Sequence, residues 1–329
     1  TIKRTNVWFS FFLFFVNPGM YKQMMNDDID IIHAIGVRSF QAFIAALVSK
    51  QKKIPLVISD QGGLTTHPDL KNSSFTKRFL IKLQKPLIKF IINQSTKVIV
   101  ANDYEKKIFL NFCNESKISI IKNGIDLEEL SSVNINFLQK YKTSQKFILF
   151  LGRFHEVKGI DTLLDAINLI KTHELLNDIK FVIMGVDFGY QQTMEQKINE
   201  LNLSIKILLI KKPSREDVKS AYKECQFLVL PSKWELSPLT PLEGFAFKKT
   251  LISTTAHGIP FTINHDDNCI LVKPNDSKEL SIAILDLLSD KEKCKKFGES
   301  GYNLVHSTCN SKQMAQNTLK IYKQLIKDI

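Results

Sequence analysis

Short runs of Ile, Val and Leu alternate with helical patterns along almost the whole chain, and that rhythm constrains the fold more than any other feature. The runs lie at 30–33, 55–59, 97–101 and 118–122, then at 147–151, 180–184, 205–210, 227–230, 250–253 and 270–272. They are apolar without strict alternation, as expected of strands buried on both faces and hence of parallel sheets. Helical stretches such as 160–171, 192–201 and 277–288 fall between them. Strand–helix–strand units of this kind predict an α/β fold.

A length of 329 residues is long for one core and comfortable for two domains. The polar stretch 128–144 is the expected boundary, giving domains at 1–140 and 141–310 and a terminal helix at 311–329. That helix carries Met314, Leu319, Ile321, Tyr322 and Leu325, so it can pack on its own domain or cross back to the first. Five scattered cysteines without a Cys-x-x-Cys pair argue against a disulfide framework or a zinc site and fit a reducing compartment. The net charge of +12 points to an anionic partner, whether nucleic acid, membrane surface or phosphorylated substrate. Most of the excess falls in residues 1–140, with 19 Lys and Arg against 11 Asp and Glu. The most apolar window, 7–16, follows Lys3 and Arg4 but is about half the length of a membrane span. No small-residue cleavage site follows it, which sets aside a signal peptide.

Two segments carry chemistry. In the first, Gly152-Arg153-Phe154-His155-Glu156-Val157-Lys158-Gly159 separates a strand from a helix, so a phosphate can approach the helix start while Arg153 and Lys158 converge on it. The bland alternative is an ordinary loop with two solvated cations. In the second, Glu235 follows Pro231-Ser232 at a strand end, and Glu243 falls near the next helix start. That edge is where open α/β sheets bind ligands, although acidic pairs at this spacing also arise by chance.

These segments, together with Lys122-Asn123-Gly124-Ile125-Asp126 and Val98–Glu105, resemble the retaining glycosyltransferases of family 4, which have the GT-B fold. The resemblance implies two Rossmann-like domains with parallel sheets and a cleft between them. It implies that Arg153 and Lys158 hold the donor's diphosphate, that Glu243 accepts from ribose hydroxyls, and that Glu235 orients the donor sugar. Gly152, Ser237 and Leu239 are then further donor-side residues, with backbone amides of 236–239 near the diphosphate or sugar. Gln61 stands where the family often carries a sugar-contacting His. Gly62, Gly63 and His67 are acceptor-side candidates, and His33 is a further cleft candidate, although a lone His at a strand end is more often structural. No metal or other cofactor is expected, and Asp266-Asp267 reads as a solvated turn.

The chain also departs from the family. Leu236-Ser237-Pro238 replaces Gly-Phe-Gly, and Pro238 has no N–H to donate. Phe247-Lys248-Lys249-Thr250 replaces Gly-x-Pro after the second glutamate. Nothing before Asp30 supplies the family's opening strand and Gly-rich loop, so the chain is expected to be N-terminally short. Residues 75–92 form a basic amphipathic pattern suited to an anionic membrane or to a core-packed helix with a solvated face, and Pro86 marks a kink or break.

The expected function is transfer of a sugar from a nucleotide-diphosphate donor to a hydroxyl of a glycan or lipid-linked acceptor, with retention at the anomeric carbon. The expected location is cytoplasmic, peripheral on the inner membrane face. A nucleotide-sugar epimerase and a glycogen-synthase-like enzyme are rivals within the fold. A non-catalytic or truncated sugar-nucleotide or glycan-binding relative is the alternative of a different class. Nucleic-acid binding is not expected, because charge is its only support and no recognisable module is present.

Overall fold

A computed structural model describes residues 2–11, 14–60, 62, 64, 75–143 and 146–327. Gln61, Gly63 and His67 lie outside the described residues. The chain divides into two compact units, one comprising 1–122 with 315–329 and the other 123–314.

The first unit opens with a two-stranded antiparallel ribbon, β1 (Phe9–Phe11) and β2 (Phe14–Val16), inside what the sequence presents as one apolar window. Its main sheet is parallel, in the order β3 (Ile32–Ile35), β4 (Leu56–Ser59), β5 (Lys97–Val100), β6 (Ile118–Ile120). The helix Phe40–Lys52 starts where the Ser39 hydroxyl accepts from the Ala42 amide at 3.0 Å, and it buries Ala42, Ile44, Ala45 and Val48. Such a cap contributes about 1 kcal/mol. The helix Phe75–Gln94 runs unbroken through Pro86. In its described half Ile88, Ile91 and Ile92 are buried while Lys85 and Lys89 face solvent. Over that half it is a core-packed helix with a solvated basic face.

The helix Ser311–Lys327 belongs to the first unit from Ala315 onward. Ile321 and Leu325 pack there with Val57, Ile99 and Ile121. Tyr322 also hydrogen-bonds His33 Nδ1, and His33 Nε2 lies 2.7 Å from Ser59 Oγ. His33 therefore anchors this helix to the sheet.

The second unit holds a six-stranded parallel sheet in the order β12-β11-β10-β7-β8-β9. The strands are β7 (Lys146–Leu151), β8 (Ile179–Gly185), β9 (Ile207–Lys211), β10 (Leu228–Val229), β11 (Leu251–Thr254) and β12 (Cys269–Val272). Counting within this unit, the order is 3-2-1-4-5-6, and it reverses between β7 and β10. The ten strands expected from the sequence are all present, with ends within two residues of expectation. Their apolar runs are legible because both faces are covered, as at Phe147, Ile148, Leu149 and Phe150, each at most 2% exposed.

Residues 123–140, read from composition as the end of the first domain, pack on the second unit. Phe137 stacks on Phe147 with centroids 4.7 Å apart, and the Glu224 carboxylate accepts from the amides of Phe137 and Leu138 at 2.9 and 3.2 Å. A few buried anchors outweigh the polar average of the segment.

Burial holds the His33 pKa below its ordinary value of 6.5. The neutral form is favoured in the folded state, so this contribution to stability is present above pH 6.5 and lost as pH falls through the folded value. Glu105, buried and raised to about 7, acts with the opposite sign, its contribution being lost as pH rises through that value. The test is therefore a difference between variants. Denaturant melts at pH 7.5 and 5.5 should show a smaller loss of stability on acidification in His33→Gln than in wild type. An equal loss in both contradicts the assignment. Tyr322→Phe should cost about 1 kcal/mol at pH 7.5.

Candidate functional site

At the reversal of strand order, the loops leaving β7 and β10 diverge on either side of a crevice at the strands' C-terminal ends, where open α/β sheets bind ligands. The loop after β7 runs from Gly152 through a 3₁₀ turn at Glu156–Lys158 to the helix Ile160–Ile170. Gly159 caps that helix with φ +67°, and a Cβ built there would sit 1.9 Å from the Pro231 carbonyl oxygen. Only glycine allows this approach without displacing backbone. The Lys233 amide donates to the Val157 carbonyl at 2.8 Å, and the Lys233 ammonium pairs with Asp161 at 2.6 Å. The two loops are thus tied together by backbone and by charge.

This closure brings Lys158 onto Glu235. The Lys158 ammonium donates to Glu235 Oε1, with both side chains mostly buried, and Ser232 Oγ lies 3.5 Å from the same oxygen. A small cavity beside the pair is lined by Lys158, Ser232, Glu235, Pro238, Thr240 and Pro241. Pro238 starts the helix Leu239–Ala246, which has no side-chain cap and no acidic residue in its first turn. First-turn amides left without such a partner are anion-binding groups. The Ser237 carbonyl accepts from Asn123 Nδ2 at 3.3 Å, so the Asn-Gly-Ile-Asp segment supports this loop from the start of the second unit. Arg153 is exposed, its guanidinium 5.0 Å from the centroid of the Phe188 ring.

Glu243, one turn into the helix Leu239–Ala246, is fixed by two residues that sequence reading missed. Arg215 donates to Oε1 and Tyr222 to Oε2, each at 2.8 Å. Tyr222 is fully buried, and burial, reinforced by Glu243, pushes its pKa well above the ordinary phenol value, so it remains a donor. The available signal was that Arg215 and Tyr222 are seven residues apart on one helix and so share a face.

Of the residues expected at the site, Gly152, Lys158, Glu235, Ser237 and Glu243 lie in or beside this crevice within the second unit, with Arg153 and Leu239 exposed at its loops. Gly62 follows β4 in the first unit with φ +98°. Asp266 and Asp267 lie in a turn, and Asp267 Oδ1 accepts from Ser300 Oγ at 2.6 Å.

Gly159→Ala should lower the stability of the second unit by about 2 kcal/mol or more, because it adds a backbone clash to left-handed strain. Gly189→Ala, with φ +89° but nothing within 4 Å of the added Cβ, carries only the strain and serves as control. It should cost about 1–2 kcal/mol. Equal losses of stability in the two variants contradict the close approach of the loops.

Comparison with known proteins agrees with this geometry. A family profile described as glycosyl transferases group 1 matches residues 134–304, and one described as glycosyltransferase family 4 matches residues 4–129. An uncharacterized glycosyltransferase of Methanocaldococcus jannaschii is 29% identical, over 84% of this chain and 70% of its own length. The UDP-Gal:alpha-D-GlcNAc-diphosphoundecaprenol alpha-1,3-galactosyltransferase of Escherichia coli is 24% identical, over 87% and 75%. Among solved structures, HepE of Anabaena in complex with UDP superposes with a TM-score of 0.76 at 16% identity, covering 93% of this chain and 81% of that one. The profile match over half the chain, on a sheet with this reversal of strand order, makes the chain a member of the group 1 glycosyl transferases with the GT-B fold.

Proposed function

We propose that this glycosyltransferase moves a sugar from a uridine diphosphate donor to a hydroxyl of a lipid-linked saccharide, with retention at the anomeric carbon. The observation that carries the reading is the Lys158–Glu235 pair in the crevice, beside an uncapped helix start and with Glu243 one turn further on. Lys158 turns from Glu235 to the diphosphate, and Glu235, released, accepts from hydroxyls of the donor sugar. Each partner of the ion pair then has a ligand group in place of the other. Arg153 adds a planar fork on the diphosphate. As the bond from the anomeric carbon to the phosphate oxygen breaks, negative charge builds on that oxygen. Arg153, Lys158 and the helix amides stabilise it. The acceptor hydroxyl attacks from the leaving-group face and passes its proton to the departing phosphate oxygen, so no protein nucleophile is required and positioning does much of the work.

Three findings support the choice of substrates. HepE has been solved with UDP and with UDP-glucose, and the E. coli relative is named for a UDP-galactose donor and a diphosphoundecaprenol-linked acceptor. The third is charge segregation. The first unit has 21 Lys and Arg against 9 Asp and Glu, a net of +12, whereas the second has 24 against 24, a net of zero. The whole excess therefore sits on the acceptor-side unit, as expected for one that meets an anionic lipid headgroup or diphosphate. Among the described residues no helix is long and apolar enough to cross a membrane.

Thermal-shift titration with UDP-, GDP- and ADP-sugars should give stabilisation by the UDP-sugars, reduced at least tenfold in apparent affinity by Lys158→Ala and by Glu243→Ala. No stabilisation by any nucleotide sugar contradicts the donor site. For the acceptor side, the chain should sediment with phosphatidylglycerol-containing vesicles at low salt and leave them at about 0.5 M salt. Sedimentation that does not depend on vesicle charge contradicts the electrostatic argument.

A further inference from the structure

Glu243 is the end of a chain of contacts that the proposed reaction does not by itself require. Arg215 reaches it from the first position of the helix Arg215–Glu224 and at the same time forks onto Glu129. Arg215 Nε lies 3.0 Å from Glu129 Oε1, and its terminal nitrogen lies 2.7 Å from Glu129 Oε2 and 2.8 Å from Glu243 Oε1. Glu129 is placed in turn by Asp126, whose carboxylate caps the helix Leu127–Ser131 and accepts from the Glu129 amide at 3.1 Å. The hydrogen bonds from Arg215 hold the Glu129 carboxyl below the usual carboxylate range. On the other oxygen of Glu243, Tyr222 is held by burial and by stacking on Phe247 at 5.7 Å.

Each carboxylate oxygen has two acceptor positions. Arg215 occupies one on Oε1 and Tyr222 one on Oε2, which leaves one acceptor position on each oxygen. A vicinal diol presents two O–H donors with matching separation. We propose that Arg215 and Tyr222 are positioning residues that aim Glu243 at both hydroxyls of the donor's ribose, and that this clasp makes the site selective for ribonucleoside over 2′-deoxyribonucleoside diphosphates. The inference rests on the assignment of Glu243 to the ribose. Without the clasp Glu243 turns freely and holds one hydroxyl as well as two. The second hydroxyl then adds little, and the distinction between the two sugars fades.

The test is calorimetric titration of UDP, GDP, ADP and their 2′-deoxy counterparts into wild type, Arg215→Met, Arg215→Lys and Tyr222→Phe. Wild type should prefer the ribonucleotide by about tenfold or more, the value of one well-made hydrogen bond to a charged group. In Arg215→Met the ribonucleotide should weaken by about tenfold while the 2′-deoxy compound changes little, so the preference collapses. Arg215→Lys should fall between, because one ammonium cannot fork onto Glu129 and still hold Glu243. Tyr222→Phe keeps the buried ring and loses only the donor, and it should also narrow the ratio. The Arg215 side chain is 44% exposed, so its removal leaves the core intact. An unchanged ribo-to-deoxy ratio in both Arg215→Met and Tyr222→Phe overturns the inference alone. Failure of wild type to bind any nucleoside diphosphate overturns the ribose assignment and the inference with it.

Discussion

The second unit depends on the contact between two loops at the point where its strand order reverses. The chain leaves β7 and β10 toward opposite ends of the sheet, and the loops must nevertheless close on each other. Gly159 makes this possible by taking φ +67° against the Pro231 carbonyl, and the Lys233 amide locks it by donating to Val157. Everything chemical follows from that closure. Lys158, just before the glycine, is delivered to Glu235, just beyond Lys233, across 77 residues of sequence. Without it the same residues would sit on two unconnected loops.

The charges of the unit are arranged as pairs that can be exchanged. Lys158 pairs with Glu235, Lys233 with Asp161, and Arg215 with Glu129 and Glu243, within a unit whose 24 Lys and Arg match its 24 Asp and Glu. A partly buried cation or carboxylate without a partner is costly, so each of these groups faces an opposite charge while the site awaits a ligand, although Asp161 keeps its other oxygen, Oδ1, buried without a hydrogen bond. On the proposed reading a nucleotide sugar brings both kinds of partner, diphosphate for the cations and hydroxyls for the carboxylates. Binding then replaces one set of interactions by another. The first unit follows a different rule. Its +12 is uncompensated, which suits a surface that attracts an anionic partner rather than a pocket that orders one.

The strands were readable because both faces of each sheet are covered, so their sequences are apolar without interruption. The loop glycine, Lys158 and Glu235 were readable as separate site residues because each lies close to a strand end. Three features were hidden for physical reasons. Arg215 and Tyr222 sit 28 and 21 residues before Glu243, and only the packing of their helix beside the one that follows β10 brings them together. The division of the chain at 122 rather than 140 depends on Leu130 and Phe137, two buried side chains in an otherwise polar stretch. The ribbon at 9–11 and 14–16 depends on cross-strand pairing such as Phe9 with Val16, which a mostly apolar window does not reveal. Of the two readings of Pro86, a kink or a break, the break does not hold, since the helix Phe75–Gln94 continues through it.

A crystal structure of the chain with bound UDP tests the central claim most directly. The account predicts that the Lys158–Glu235 pair opens, with Lys158 and the amides at the start of the helix Leu239–Ala246 on the diphosphate. It predicts both ribose hydroxyls on Glu243, with Arg215 and Tyr222 still in place behind it. UDP bound elsewhere, or bound here with Lys158 still on Glu235 and the ribose away from Glu243, would contradict it.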